Sequence, residues 1–401
     1  FMRCQILHKR KGVFLKPLLK KKGLFISKFT QSGKYLWCCE GSKSYLMNLE
    51  TKEKELLVSD CFISPCSETL DDRKFAFFEF NNRSRMRFTK LSVFDRLEKK
   101  MLSYPLELFF KNDDIAFMSI TFDKSGKLFF CASGTCSYVI CINPESGKYK
   151  VVNFDEIFFG GMCLCENKLI FQTDRNSSDK KKCIKGFLCY DVGTPFSTKN
   201  FRTVFTECKE PLFGITSQNG VIPLLWSRVR GDEEATAAEG MMAEIIHVLR
   251  RAMSNNVSYE IFEFNPEDNS LEKVSSKPIK KSDFKDIGRR IANSYLITED
   301  YFDFFNCDKE SCCKVRLYDV KNSIPAGCFF AENGKISFED ADSDKIVIVE
   351  DKSVNINSEM ITKGLSVWFS RDAKYLGFSF NDYVYYAEAP EKFLNILNKY
   401  R

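Results

Sequence analysis

Histidine is nearly absent from this chain of 401 residues, which holds only His8 and His247. Nucleophilic catalysis by serine or cysteine needs a base within hydrogen-bond reach of the nucleophile, and histidine is the side chain that most often serves. The scarcity therefore argues against Ser–His and Cys–His chemistry. Proline and glycine are also scarce, with 11 and 20 residues, which leaves little room for long disordered linkers.

Long apolar runs are missing as well. No stretch of the sequence approaches eighteen consecutive apolar residues, so no membrane span is expected. The basic N-terminal segment lacks an uninterrupted apolar core and a small-residue cleavage site, so it makes a poor signal peptide. These features favour an intracellular protein, cytoplasmic or nuclear.

Cysteine, in contrast, is abundant, with 17 residues. The number is odd, and many of the cysteines lie inside apolar runs, as Cys38 and Cys39 do. This pattern predicts free thiols buried in strands in a reducing compartment, since disulfide frameworks belong to short secreted chains. The tightest cluster, "NCDKESCCK" from Asn306 to Lys314, has no CxxC pair and no nearby histidine. We therefore expect neither a metal site nor a cofactor.

A short phrase recurs along the chain. An apolar strand ends in a bulky residue, Asn or Asp follows, and a turn comes next. The closing residues are Asn48, Asp95, Asn143, Asp191, Asn265 and Asp319. Three of the separations agree within one residue (47, 48 and 48), and the others are 74 and 54. Asn and Asp suit this position because their short side chains can hydrogen-bond the backbone two residues further on.

A second hairpin precedes each phrase, most clearly in "FTQSGKYLWCC" from Phe29 to Cys39. There Ser32 and Gly33 bend the chain, and the following apolar run is predicted to be a buried strand. "FSRDAKYLGFSFN" from Phe369 to Asn381 repeats this hairpin near the other end. Each unit of about 48 residues thus holds about four strands, which is the period of a β-propeller blade.

The Tyr-Asp and Phe-Asp closures resemble the Trp-Asp ending of WD-repeat proteins. The pattern F-x-x-x-G-K-Y-L likewise resembles a hairpin common in WD-repeat and related propellers, and the likeness covers most of the chain. We therefore predict an all-β fold: a single β-propeller of seven or eight four-stranded blades, with a helical insertion in the fifth blade and a short C-terminal helix.

The repeat also predicts the boundaries of the blades. An N-terminal strand is expected to complete the last blade, which would close the ring and remove open sheet edges. The predicted segments are 1–23 for the basic segment and closing strand, then blades at 24–60, 61–108, 109–155, 156–208, 209–275, 285–332, 333–362 and 363–390, and a helix at 391–401.

The interval of 74 residues exceeds the period because of an inserted segment. Residues 227–258 contain no aromatic residue, although 14% of the chain is aromatic. A helix is predicted at 231–254, and one of its faces carries Met242, Ile245, Ile246, Leu249 and Met253. This face either binds a partner or packs on the propeller rim, and the sequence leaves both alternatives open.

Positive charge is concentrated at the N-terminus, where the first 39 residues carry ten Lys or Arg and no Asp or Glu. Such clusters can hold phosphates and make nucleic-acid binding depend on salt. The candidate phosphate contacts are Lys9, Arg10, Lys11, Lys20, Lys21, Lys22, Lys180, Lys181 and Lys182. The alternative is that these lysines provide solubility and protect strand edges.

No glycine-rich phosphate loop or paired-carboxylate signature stands out. The sequence therefore favours a non-enzymatic interaction scaffold that binds other proteins of a complex and has no small-molecule substrate. The first alternative is a propeller associated with RNA or the ribosome through its basic segments. The second is a propeller hydrolase or lyase that uses carboxylates.

Overall fold

The computed structural model describes most of the chain, with gaps. The described residues are 19–22, 24–30, 32–80, 88–110, 115, 117–134, 136–155, 157–176, 183–205, 211–212, 222–229, 257–273, 279–280, 302–306, 314–319, 324–342, 344–351, 365–370, 373–380 and 383–399.

The described strands follow one another as antiparallel sheets. A first strand, β1 (Leu19–Lys22), precedes the first complete sheet. The first two sheets consist of β2 (Leu24–Phe29), β3 (Tyr35–Glu40), β4 (Lys43–Asn48) and β5 (Lys54–Val58), and of β6 (Phe62–Glu68), β7 (Lys74–Phe80), β8 (Phe88–Asp95) and β9 (Lys100–Pro105). The third and fourth consist of β10 (Phe117–Phe122), β11 (Leu128–Ser133), β12 (Ser137–Ile142) and β13 (Tyr149–Phe154), and of β14 (Ile157–Cys165), β15 (Lys168–Asn176), β16 (Cys183–Asp191) and β17 (Phe201–Phe205).

Three further sheets complete the described part of the fold. The fifth holds β18 (Pro211–Leu212), β19 (Ile222–Val229), β20 (Val257–Asn265) and β21 (Ser270–Lys273), with β22 (Ile279–Lys280) also paired to β20. The sixth holds β23 (Phe302–Asn306), β24 (Lys314–Asp319), β25 (Ile324–Glu332), β26 (Lys335–Asp340) and β27 (Lys345–Glu350). The seventh holds β28 (Ser366–Phe369), β29 (Tyr375–Phe380) and β30 (Tyr383–Glu388), and the helix α1 (Glu391–Asn398) follows. Short 3-10 turns lie at Leu106–Leu108 and Thr198–Asn200.

The middle strands of the sheets are apolar and aromatic because neighbouring sheets cover both of their faces. All seven residues of β7, "KFAFFEF", are buried, and so are all six of β11, "LFFCAS". The last strands β5 and β13 keep exposed positions. The core is divided into clusters, each lying between two successive sheets: first and second, second and third, third and fourth, fourth and fifth, and sixth and seventh.

A further cluster lies between the seventh sheet and the first, and it combines Phe29, Leu36 and Met47 with Val384 and Tyr386. The first strand β1 pairs with β30 and so forms the outer edge of the seventh sheet. The first and last described strands thus pair with each other, and β30 has a backbone partner on both sides: β29 and β1. Successive antiparallel sheets of four or five strands, with the first strand completing the last sheet, are the organisation of a β-propeller.

The Asn and Asp closures work as the sequence predicts. The Oδ1 atom of Asn48 accepts hydrogen bonds from the N–H groups of Glu50 and Thr51 at 2.8 and 3.0 Å. The carboxylate of Asp95 accepts from the N–H groups of Leu97 and Glu98, both at 3.1 Å. The predicted role of these side chains as turn formers is confirmed for these closures.

The segment 333–362 differs from the prediction of a separate blade. Its strands β26 and β27 continue the sixth sheet, because the nine-residue strand β25 pairs with β24 on one side and with β26 on the other. Gly327 makes this possible. With φ at +157°, it leaves no room for a Cβ, which would lie 2.2 Å from Cζ of Phe338. Only glycine fits so close an approach of two strands.

The predicted C-terminal helix is present as α1. Its residues Phe393, Ile396 and Leu397 are buried against the core between the sixth and seventh sheets. The predicted insertion at 231–254 lies outside the described residues. Within the described part of the chain, no helix has both the length and the apolar character that crossing a membrane requires.

Two ion pairs join neighbouring sheets in the same way. Lys74, the first residue of β7, contacts the carboxylate of Glu145 in the third sheet. Lys168, the first residue of β15, contacts Glu267 of the fifth sheet at 2.6 Å. Both glutamates follow an Asn-Pro pair in the turn after the third strand of their sheet. Each lysine side chain is only 10–11% exposed, so these pairs lie at the packed edges of the sheets.

Candidate active site

The turn between the first two strands has the same hydrogen bonds in three sheets. It starts at Thr30, Thr69 and Ser370. In each case the N–H group of that residue donates to the carbonyl five residues later at 2.9 Å. Its side-chain oxygen accepts from the N–H of the same later residue at 2.9 to 3.1 Å. The two hairpins that recur in the sequence therefore have the same turn structure, and "ETLDDRKF" of the second sheet is a third copy of it.

The fourth position of this turn has a left-handed backbone. It is occupied by Gly33 with φ at 70°, by Ala373 with φ at 55° and by Asp72 with φ at 53°. Left-handed backbone is natural for glycine, and Asp tolerates it better than most other residues. The second sheet therefore carries a carboxylate at a position that the first sheet fills with glycine.

This carboxylate is placed between the first and second sheets. Asp72 is 3% exposed, and its Oδ1 atom has no hydrogen-bond partner. The hydroxyl of Ser32, in the matching turn of the first sheet, is a hydrogen-bond partner of the carboxyl group. Arg96 holds the turn from the other side, because its Nε donates to the carbonyl oxygen of Asp72 at 3.0 Å. The guanidinium also lies over the ring of Tyr35, 5.2 Å from its centroid.

A second buried carboxylate acts on Asp72 through its charge. Glu68 is the last residue of β6 and is 3% exposed. Its Oε2 accepts a hydrogen bond at 3.2 Å from the indole N–H of Trp37, which lies in the first sheet and is fully buried. Trp37 also makes an edge contact with Phe75, at 5.5 Å between ring centroids, so the indole has little freedom to turn away from Glu68.

Burial raises the pKa of Asp72 above its ordinary value, and the negative charge of Glu68 acts in the same direction. The Ser32 hydroxyl and the charges of Lys34 and Arg96 oppose this shift without cancelling it. The neighbouring Asp71 behaves in the opposite way. The hydroxyl of Thr69 donates to it at 2.6 Å and lowers its pKa, an effect that outweighs its slight burial. Two adjacent carboxyl groups therefore hold their protons over different ranges of pH.

Glu79, a third buried carboxylate of this sheet, differs from Asp72 because its partners are complete. It accepts hydrogen bonds from Cys61 at 3.0 Å and from Ser92 at 2.5 Å, and it pairs with Lys90 at 3.2 Å. Such a saturated cluster stabilises the fold and offers no free acceptor to a ligand. Among these three buried carboxylates, only Asp72 has an oxygen without a partner.

The described cysteines belong mainly to the core. Seven of the eleven described cysteines are buried and four are half-buried, which confirms the prediction of core thiols for the seven buried ones. Desolvation raises the pKa of Cys61 to about 12 and those of Cys165 and Cys189 to about 11, so their thiolate forms are rare. In the part of the chain that the structure describes, no group of three or more His, Cys, Asp or Glu could hold a metal ion.

The residues that the sequence proposed as contact sites lie elsewhere. The helix face Met242, Ile245, Ile246, Leu249 and Met253 and the basic residues Lys9, Arg10, Lys11, Lys180, Lys181 and Lys182 are outside the described residues. Lys20, Lys21 and Lys22 belong to β1, where their backbones pair with Tyr385, Val384 and Tyr383. The sequence reasoning missed Glu68 and Asp72, although the five-residue spacing of Thr69 and Lys74 matches that of Thr30 and Tyr35.

No family model matches this sequence, and no curated protein is similar to it. Solved structures are similar in fold. Dipeptidyl peptidase 4 of Porphyromonas gingivalis matches with a TM-score of 0.50 and 10% identity, over 91% of this chain and 56% of the peptidase. The β-propeller domain of the Trilobed protease from Pyrococcus furiosus matches at a TM-score of 0.46 and 10% identity, over 82% of this chain and 96% of that domain. The Dos1 propeller matches at 0.47 and 11%, over 94% and 95%.

These matches agree with a β-propeller, and this chain spans about half of the dipeptidyl peptidase. They also correct a prediction. The sequence analysis favoured a non-enzymatic scaffold. The fold instead matches an enzyme, dipeptidyl peptidase 4, at a TM-score of 0.50. The interpretation failed because scarcity of histidine argues only against histidine-dependent chemistry, and acid–base catalysis by carboxyl groups needs no histidine.

Proposed function

We propose that this chain is an enzymatic β-propeller of seven blades, one for each described sheet, and that it is a hydrolase with Asp72 as its general acid. The observation that carries the proposal is the buried Asp72 carboxyl group with its unpartnered oxygen. A carboxyl group that retains its proton at higher pH than usual can donate that proton to a leaving group.

The surroundings of Asp72 suit this role. Lys34 is exposed and Arg96 is half-buried, and the charges of both act on the carboxyl group. They would stabilise negative charge that develops on a substrate while Asp72 supplies the proton. Glu68 accepts a hydrogen bond from Trp37, and its electrostatic effect raises the pKa of Asp72, which helps Asp72 to stay protonated. Buried carboxyl groups with shifted pKa values are a recurrent property of catalytic sites.

The choice of hydrolysis is supported by one matched enzyme. Dipeptidyl peptidase 4 is named as an enzyme that cleaves peptides, and peptide cleavage is hydrolysis. Its likeness to this chain concerns the fold, whereas the proposed chemistry rests on Asp72.

The proposal is tested by measuring hydrolysis of chromogenic peptide, ester and glycoside substrates by the full chain as a function of pH. Asp72 acts as an acid only while protonated, and its pKa is raised above its ordinary value of about 4. We therefore expect kcat/KM for one substrate class to fall as pH rises through the raised pKa. Absence of hydrolysis for every class, or a rate that increases over this range of pH, would refute the proposal.

A further inference from the structure

A cleft separates the second and third sheets on the side of the turns that follow their third strands. It has a volume of about 230 Å³. One wall is formed by β7, β8 and β9 of the second sheet, and the other by the turn Pro144–Gly147 of the third sheet. Pockets for drug-sized ligands are typically about 300–1,000 Å³, so this cleft suits a smaller molecule.

The strand register gives the first wall a regular pattern. Lys74 of β7 pairs with Asp95 of β8, and Asp95 pairs with Lys100 of β9, which places a positive, a negative and a positive group in one row. The next row on the same face, two residues further along each strand, consists of Ala76, Val93 and Leu102. Charged groups thus lie at the end of the sheet, and an apolar surface lies directly behind them.

Both signs of charge are available in the cleft. Lys74 and Lys100 provide ammonium groups, while Asp95, Glu98 and Glu145 provide carboxylates. Arg73 links two of these carboxylates, because it contacts Asp95 at 2.9 Å and Glu98 at 3.2 Å.

In two ion pairs of the cleft, the glutamate is exposed and can give up its partner to a charged group of a ligand. The side chain of Lys74 is 10% exposed, and its partner Glu145 is 66% exposed. Glu98 is 58% exposed beside Arg73. An incoming carboxylate can therefore replace Glu145 at Lys74, and an incoming ammonium can pair with Glu98, without disturbing the core. The pair of Glu98 with Arg73 is exposed and contributes little to stability, so its exchange costs little.

The apolar part of the lining limits the side chain of the ligand. Val93 is almost fully buried, Leu102 is half-buried and Pro144 is buried on the opposite wall. These three side chains enclose a small apolar space beside the charged row, and it suits an aliphatic group without polar atoms.

We propose that this cleft binds a free aliphatic α-amino acid in its zwitterionic form. The carboxylate of the ligand pairs with Lys74 and Lys100, the ammonium pairs with Glu98, and the side chain packs on Val93, Leu102 and Pro144. Asp72 does not line this cleft and interacts instead with Ser32 of the first sheet, so the binding site does not depend on the hydrolase proposal.

The test is isothermal titration of the full chain with L-leucine. A ligand of this size is expected to bind with a Kd of about 1 mM. Isocaproate lacks the amine, isoamylamine lacks the carboxylate and glycine lacks the side chain, so each of these three is expected to bind at least about tenfold more weakly.

Two variants locate the binding in the cleft, and one serves as a matched control. Glu98→Gln and Lys100→Gln each remove one charge and are expected to weaken leucine binding by about tenfold or more. Lys99→Gln is the matched control, because Lys99 lies between Glu98 and Lys100 in the sequence but does not line the cleft. Lys99 pairs with Glu55 at 2.5 Å, so leucine binding should be unchanged in this variant.

Three results would overturn the proposal: no heat of binding up to about 10 mM leucine, equal binding of the single-charge analogues, or equal losses in all three variants. Hydrolase activity plays no part in these measurements. A chain that binds leucine without hydrolysing any substrate would support the cleft and refute the role of Asp72, and the reverse combination would do the opposite.

Discussion

An Asp72→Asn variant is expected to lose about 10²- to 10⁴-fold in kcat/KM, the usual contribution of a general acid. The amide is nearly isosteric with the carboxyl group and tolerates the left-handed backbone with φ at 53°, so the turn should persist. It cannot deliver a proton to a leaving group. The loss should therefore appear mainly in kcat, because Lys34 and Arg96 remain to bind substrate.

Asp71→Asn is the matched control for this variant. Asp71 precedes Asp72 in the same turn, but it is exposed and pairs with the hydroxyl of Thr69. Its replacement should change kcat/KM by less than about threefold. If both variants lose activity equally, or if Asp72→Asn retains full activity, Asp72 is not the acid.

Deleting residues 1–22 is expected to have the largest effect on stability. This deletion removes β1, whose four residues pair with Tyr383 to Tyr386 of β30, and leaves β30 with an open edge. Tyr385 and Tyr386 are fully buried in the cores on either side of the seventh sheet, so loosening β30 affects both. We expect the Tm to fall by about 5 °C or more and the protein to aggregate more readily, measured by differential scanning calorimetry and light scattering.

Deletion of residues 1–18 keeps β1 and serves as the control for the loss of the preceding segment. This shorter deletion should leave the Tm within about 1 °C of the full chain. If the two deletions lower the Tm equally, closure by β1 does not stabilise the ring.

The repeat made much of the fold predictable because it rests on local chemistry. Asn48 and Asp95 form turns through hydrogen bonds to the next few N–H groups, so their spacing indicates where the third strands end. Burial on both faces likewise explains the apolar runs of β7 and β11, which sequence patterns already indicate as strands. The short helix α1 follows from its apolar spacing.

The sixth sheet was not predictable in this way. The turn between β25 and β26 is the pair Asn333-Gly334, and the long strand β25 pairs on both of its edges, so an Asn turn here lies inside one sheet. That pairing depends on the contact of Gly327 with the ring of Phe338, which joins residues eleven positions apart through tertiary packing. Sequence spacing alone instead suggests a new unit at residue 333.

The candidate site was missed for a related reason. "ETLDDRKF" lacks the Gly-Lys pair that makes the first hairpin recognisable, so its identical turn is visible only from its hydrogen bonds. The burial of Asp72 arises because the first sheet packs against that turn. Two adjacent aspartates in a turn ordinarily indicate a solvated loop, and nothing local distinguishes the exposed Asp71 from the buried Asp72.

The central claim is that Asp72 is a buried carboxyl group whose proton is retained by its surroundings. Its raised pKa means that its contribution to stability is complete below the unfolded value of about 4 and is lost as pH rises through the folded value. Asp71 has the opposite sign, because its lowered pKa adds stability above the unfolded value that is lost as pH falls.

The most direct measurement is the free energy of unfolding by urea for the wild-type chain, Asp72→Asn and Asp71→Asn between about pH 2 and pH 8. We predict that Asp72→Asn gains stability relative to the wild-type chain as pH rises above about 4, the unfolded value. Asp71→Asn loses stability relative to the wild-type chain as pH rises to about 4, and the difference stays nearly constant at higher pH. A difference between Asp72→Asn and the wild-type chain that stays constant with pH, or that turns against the variant as pH rises, would contradict the claim.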